Sequence, residues 1–292
     1  MSSAARAPSR YSTAGMFSTF KLDCKAAALE FVGTTFFLLL GLGGIQAANG
    51  EAQSSSTTTE HVMYIATSMG FSLLVSAWLF YRITGGLFNP NITLALFLVG
   101  VVNPIRFVLF CIAQLVGSIA ASALLLALTP GPLVVNTFLQ QGVNSAQGVF
   151  IEMFLTAALA LAVLMLAAEK SQVTPFAPVG IGLTLFVGQL WAVFYTGAAM
   201  NTARAFGPAV VTGFPYPKQW VYWVGPSLGS LLASAFYAML KWMHYQDLNP
   251  AQASTHEKDS PDPLAMAPSS TEKPLSDRNV AGRAEGSGSS DV

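Results

Sequence analysis

The sequence predicts an all-α membrane protein of six transmembrane helices plus two re-entrant half-helices, arranged as an inverted-repeat bundle. Three observations carry this. Of the 292 residues 53% are hydrophobic and only 10% are charged, with a mean hydropathy of +0.53, a composition that belongs to polytopic membrane proteins rather than soluble domains. Apolar runs recur at lengths suited to a bilayer. Two asparagine motifs, "LFNPN" at residues 87–91 and "MNTAR" at residues 200–204, stand at the mouths of apolar runs too short to cross one.

Taken in order, the long apolar runs lie near residues 26–48, 62–82, 105–128, 148–168, 176–197 and 220–242. Each is close to the roughly 20 residues that a spanning helix needs, which makes six crossings. The runs at about 90–102 and 202–213 begin at the asparagine motifs and fit half-helices that enter and leave by the same face. Arg6, Arg10, Lys21, Lys25, Arg82, Arg106, Lys170 and Lys241 all fall at ends that a six-span path puts on one side. The opposite loops, near 49–61 and 129–147, hold no Lys or Arg. By the positive-inside bias both termini are expected in the cytosol. From about Gln246 the chain turns to Ser, Pro and charged residues, with four basic against eight acidic side chains, and is expected to be a disordered cytosolic tail over 246–292.

Several function classes fall away. The formal charge is zero and no basic stripe is present, so no nucleic-acid partner is expected. Cys24 and Cys111 sit at the start of one span and inside another, where they read as apolar fillers rather than a disulfide or a metal site. The stretch from Met1 to Leu22 contains no apolar run long enough for a secretory signal, and the arm 1–23 is expected to be cytosolic. His61, His244 and His256 lie at span edges or in the tail, so no nucleophile, base and metal set is available inside a bundle; no catalytic residue and no cofactor is expected.

The chain also repeats itself. "AQLVGSIAASAL" from Ala113 matches "GPSLGSLLASAF" from Gly225, and the spacing between those two segments is the same as that between Asn89 and Asn201. Glu30 and Thr34 echo Glu152 and Thr156 at a larger spacing, so the first half holds extra residues, which the polar stretch 49–60 could absorb. A unit of three crossings returns on the opposite side, so the second copy, about 148–242, is inverted relative to the first, about 24–128. In such folds discontinuous helices meet near the bilayer midplane and build the site there. Asparagine is a strong N-cap, and Pro90 is preorganised at the next position. With the caps set, the side-chain amides have donors for a passing molecule, and the two helix N-termini add positive potential at the same point.

At these residues the chain resembles the aquaporin, or major intrinsic protein, family, in a fungal-like form with variant NPN and NTA motifs. That family's "SGxxxNPAxT" is similar to "TGGLFNPNIT" here, and its "NPARSFGPA" to "NTARAFGPA" at Asn201–Ala209. Two departures lie in the signature: Asn91 where the family has alanine, and Thr202 where it has proline. The resemblance implies an aquaporin-like channel domain over 24–245, passing water with small neutral solutes left open, excluding protons and ions, and assembled as a homotetramer in lipid, the plasma membrane first. It implies a pore centre of Asn89, Pro90, Asn91, Asn201, Thr202 and Ala203. It implies a filter of Met69, Gln189, Ala198 and Arg204, which lacks the aromatic and histidine of water-selective relatives. Glu30 and Glu152 are expected to accept bonds from the re-entrant loops. Thr202 is expected to have a modest effect, its N–H unpaired as is usual at a first helical position, whereas Asn91 has to find partners or meet pore water. Arg204 has the bland alternative of snorkelling to the interface. A low-permeability junctional protein and a glycerol or other small-solute facilitator are the alternatives in function.

Overall fold

Each apolar run becomes a helix, because backbone in lipid has to satisfy its own N–H and C=O groups. A computed structural model describes residues 19–51, 59–140 and 142–249. In chain order the helices are α1 (Phe20–Glu51), α2 (Thr59–Phe80), α3 (Pro90–Leu98), α4 (Pro104–Leu128), α5 (Ser145–Val163), α6 (Ala177–Thr196), α7 (Thr202–Val211) and α8 (Val221–Trp242). Six of them are long and apolar enough to cross a membrane, α5 with the π turn Leu164–Ala168 that continues it. The other two, α3 and α7, have 9 and 10 residues and are the half-helices. The arm residues 1–18 with Arg6 and Arg10, the loop 52–58 and the tail from 250 lie outside the described residues. Helix α1 reaches back to Phe20 and on to Glu51, and α2 opens at Thr59. The extra length of the first half is therefore partly helical, not held by a polar loop alone.

The inverted repeat sets the packing. Within each half the first and third long helices pair, α1 with α4 and α5 with α8, while α2 and α6 cross between the halves. Each half-helix packs against the last long helix of the other repeat, α3 on α8 and α7 on α4. Small residues allow these approaches, as is usual in membranes. A Cβ on Gly182 would stand 2.8 Å from the Gly70 carbonyl oxygen, and one on Gly70 would stand 3.1 Å from that of Gly182. The two glycines are repeat equivalents, spaced as Asn89 and Asn201 are, and they face each other. Gly117 and Gly229 repeat the device: a Cβ on the first would lie 2.9 Å from Phe31 O, and one on the second 2.8 Å from Thr156 Cβ.

Polarity runs from apolar outside to polar inside. Trp78, Phe150, Phe194 and Trp242 are exposed on the bundle surface, whereas Glu30, Gln114, Glu152, Gln189 and Arg204 are buried. Ionisable groups in such a place have to find partners within the bundle. At one end Arg106 pairs with Asp23 at 2.7 Å and Lys241 with Glu169 at 3.2 Å, tying α1 to α4 and α5 to α8. Lys218, before α8, is a basic residue beyond the opposite end of the bundle.

Candidate functional site: two half-helix tips beside a cavity

The loops that deliver the half-helices repeat each other residue by residue. Gly85, Gly86 and Phe88 have φ of +97°, +65° and +52°, and their counterparts in the second repeat, Gly197, Ala198 and Met200, have +78°, +47° and +50°. Phe88, Ala198 and Met200 are side-chain-bearing residues in the left-handed region, a conformation that persists only where surrounding contacts over-determine it. Buried carboxylates supply those contacts. Phe88 N donates to Glu30 Oε1 at 2.5 Å, while Ala199 N and Met200 N donate to the two oxygens of Glu152 at 2.9 and 2.8 Å. Gln114 Nε2 also donates to Glu30 Oε1 at 2.9 Å, and Thr196 Oγ1 to Glu152 at 2.7 Å. Both glutamates thus accept from the re-entrant loops.

Each loop turns into its half-helix at an asparagine with extended backbone, φ −153° at Asn89 and −160° at Asn201. Asn89 Oδ1 accepts from Asn91 N at 2.9 Å and Ile92 N at 3.4 Å; Asn201 Oδ1 accepts from Ala203 N at 2.9 Å and Arg204 N at 3.3 Å. Their amide nitrogens reach across the halves, Asn89 Nδ2 to Met200 O at 2.8 Å and Asn201 Nδ2 to Phe88 O at 2.9 Å. A primary amide has two N–H groups. Each asparagine is therefore fixed at both ends, has a second amide N–H, and lines the cavity.

The signature departures meet each other. Asn91 Oδ1 accepts from Thr202 N and from Thr202 Oγ1, each at 2.9 Å. The N–H returned by replacing proline is not left unpaired, contrary to the sequence expectation. Asn91 finds further protein partners, with Nδ2 3.3 Å from Ser227 Oγ and its backbone carbonyl accepting from Ser230 Oγ at 2.7 Å. Pro90 opens α3, and the Ala203 carbonyl accepts from Ser118 Oγ at 2.5 Å. Ser118 and Ser230 are themselves repeat equivalents, and each holds the half-helix of the opposite repeat.

A cavity of about 330 Å³ passes these tips. Its wall includes Tyr81, Arg106 and Lys170 towards the ion-paired end, then Asn89 and Asn201, then Arg204 and Met69. Phe37, Ile92, Leu96, Leu159 and Leu185 make much of the remaining wall apolar. Arg204 is 2% exposed and donates from Nη1 to Val135 O at 2.8 Å, so it is buried in the bundle rather than extended to an interface. Met69, Gln189 and Ala198 are buried too, and Gln189 Nε2 donates to Ala198 O at 2.8 Å. That bond occupies one donor of the amide. Cys24 is exposed and Cys111 half-buried, both free, and among the described residues no group of side chains suits a metal ion.

The residues themselves hardly signal that the segment after α4 belongs to this site. Gln46 grips it with both ends of its amide, Nε2 to Pro132 O and Oε1 from Val134 N, each at 2.9 Å. Asn49 Nδ2 adds a bond to Val134 O at 2.5 Å. Those contacts seat the next carbonyl, that of Val135, on the Arg204 guanidinium. The one available signal is a pair of amides near the end of an apolar span.

Inverted repeats, two half-helices meeting tip to tip and a line of donors along an internal cavity define the architecture of a membrane channel. The model of the family described as "Major intrinsic protein" matches residues 16–237. The chain is 64% identical over 264 residues to a protein named Aquaporin-1 from Laccaria bicolor, covering 89% of this chain and 85% of that one. It is 44% identical over 249 residues to Aquaporin-7 of Botryotinia fuckeliana, covering 83% of this chain and 55% of the other. Among solved structures, the aquaglyceroporin from Plasmodium falciparum shares the fold at a TM-score of 0.58 and 18% identity, over 78% of this chain and 97% of that one. The chain belongs to the major intrinsic protein, or aquaporin, family: it is an integral multi-pass membrane channel for water or small solutes and not an enzyme.

Proposed function

We propose that the protein is a passive water channel that excludes protons and ions, with small neutral solutes as its secondary cargo. The observation that carries this reading is the pairing of Asn89 and Asn201 on one cavity wall, each with its carbonyl oxygen committed to a half-helix and an N–H left for the path. A water oxygen accepting from both donors turns its hydrogens outward, which interrupts a proton wire, and the two helix N-termini oppose cations. In this reading the tips that carry Asn89, Pro90, Asn91, Asn201, Thr202 and Ala203 meet at the pore centre, where Asn89 and Asn201 face the path and the other four pack behind them, and Met69, Gln189, Ala198 and Arg204 make the filter. Arg204 brings a permanent charge there. Glu30 and Glu152 support the loops.

The channel domain spans 24–245, in two repeats of about 24–128 and 148–242, between an N-terminal arm and a C-terminal tail that are both cytosolic in this reading. Both termini face the cytosol because Arg82, Arg106, Lys170 and Lys241 share one side. A homotetramer in the plasma membrane, one path per subunit, is the assembly proposed. Osmotic swelling of proteoliposomes, first with an impermeant osmolyte and then with a glycerol gradient, tests the reading. Fast water flux with slower glycerol flux is expected; no water flux above empty liposomes would favour the junctional alternative, and glycerol flux equal to water flux the facilitator.

A further inference from the structure

We propose that Asn91 and Thr202 form a matched lock, a positioning pair outside the water path that holds the two half-helix tips in register and in which each residue is tolerated only in the presence of the other. The geometry is reciprocal. Proline at 202 would bring no N–H, and alanine at 91 would bring no acceptor. Here the donor that the first change exposes is taken by the acceptor that the second change adds, at 2.9 Å and with both residues 2% exposed. Thr202 Oγ1 stands 2.9 Å from both Asn91 Oδ1 and Tyr222 O, and its single hydrogen serves one of them at a time. The backbone N–H is thus the constant bond. Through Ser227 and Ser230 on one side and Tyr222 on the other, the pair also anchors both tips to α8.

Neither residue is among those that line the cavity, yet each adjoins or is hydrogen-bonded to one that does. Asn89 caps its half-helix through the N–H of Asn91, and Asn201 immediately precedes Thr202. A displacement of either member therefore moves the donors without any change in the chemistry of the path. The flux part of this inference rests on reading the cavity as a water path, whereas the stability part does not.

The test is a double-mutant cycle on the full chain, with Asn91→Ala, Thr202→Pro and the two combined. Water permeability, proton leak per reconstituted protein and thermal midpoint are measured for each. Each single change is expected to lower water flux by about threefold and to raise proton leak, with the combination returning both to within about twofold of the parent, the coupling that contacting residues show. Thr202→Val, which keeps the N–H, should stay near the parent, and Asn91→Leu, with the same heavy-atom branching but no acceptor, should not. Changes that simply multiply in flux and add in midpoint would overturn the lock. So would an Asn91→Leu protein that matches the parent in all three readouts. If the parent itself passes no water, the channel reading fails, and the midpoints of the cycle still decide the lock.

Discussion

At one and the same position of the two repeats, the first half places Ile92 and the second Arg204, and both line the cavity. Around them the halves agree closely: the left-handed loop residues, the capping asparagines and the serine that holds the opposite tip all recur at one common spacing. The differences gather at the half-helix starts, where Pro90 and Asn91 face Thr202 and Ala203. The carboxylates differ as well. The bonds from Phe88 N and Gln114 Nε2 to Glu30 end on one oxygen, whereas Glu152 uses both of its oxygens. Features that the inverted fold needs twice are repeated, and the charge beside the tips, Arg204, is present once. Arg204 is the cation beside the tips, while Arg106 and Lys170 line the cavity towards its ion-paired end.

The largest effect is expected where the halves differ most in charge. Arg204→Ala makes that position as uncharged as its counterpart, Ile92. It should keep water flux, raise urea or glycerol flux by about tenfold and admit a proton leak, since a buried charge and its N–H donors are removed while both asparagines stay. Solute and proton fluxes in proteoliposomes, normalised to protein, measure this; unchanged selectivity in a folded variant would place the narrowest point elsewhere. A second effect separates the carboxylates. Glu152→Gln sets an amide N–H₂ against a backbone N–H and should lose about 3 kcal/mol, while Glu30→Gln can keep its one working oxygen and should lose about 1 kcal/mol. Thermal unfolding of the two variants in one detergent compares them, and equal losses would mean that the two supports are equivalent. The smallest effect is expected from mercurials, because position 198 is alanine and Cys111 lies away from the cavity wall. Strong inhibition that disappears in Cys111→Ser would contradict that placement.

Much of this arrangement is legible in the residues. Hydropathy locates the six spans because lipid selects length and composition directly, and the short runs after Asn89 and Asn201 can only be half-helices. Glu30 and Glu152 are readable as loop supports because a carboxylate in a span has few other uses. The pairing of Asn91 with Thr202 is not legible. The two are far apart in the chain, and only the docking of inverted halves makes them neighbours. Each change looks like a separate fault in its own motif, one gained amide and one lost proline. The Val135 carbonyl on Arg204 is hidden for a different reason: a backbone acceptor has no residue type, and the segment that carries it has no periodicity.

The account stands on water passing Asn89 and Asn201 while protons do not. The direct measurement is water and proton flux in the same proteoliposome preparation, with an osmotic step and a pH step applied separately over a series of protein densities. Water permeability is expected to rise in proportion to protein while proton permeability stays at the level of empty liposomes. Proton permeability that climbs with protein in parallel with water would contradict it, because the two asparagines would then not be interrupting the wire.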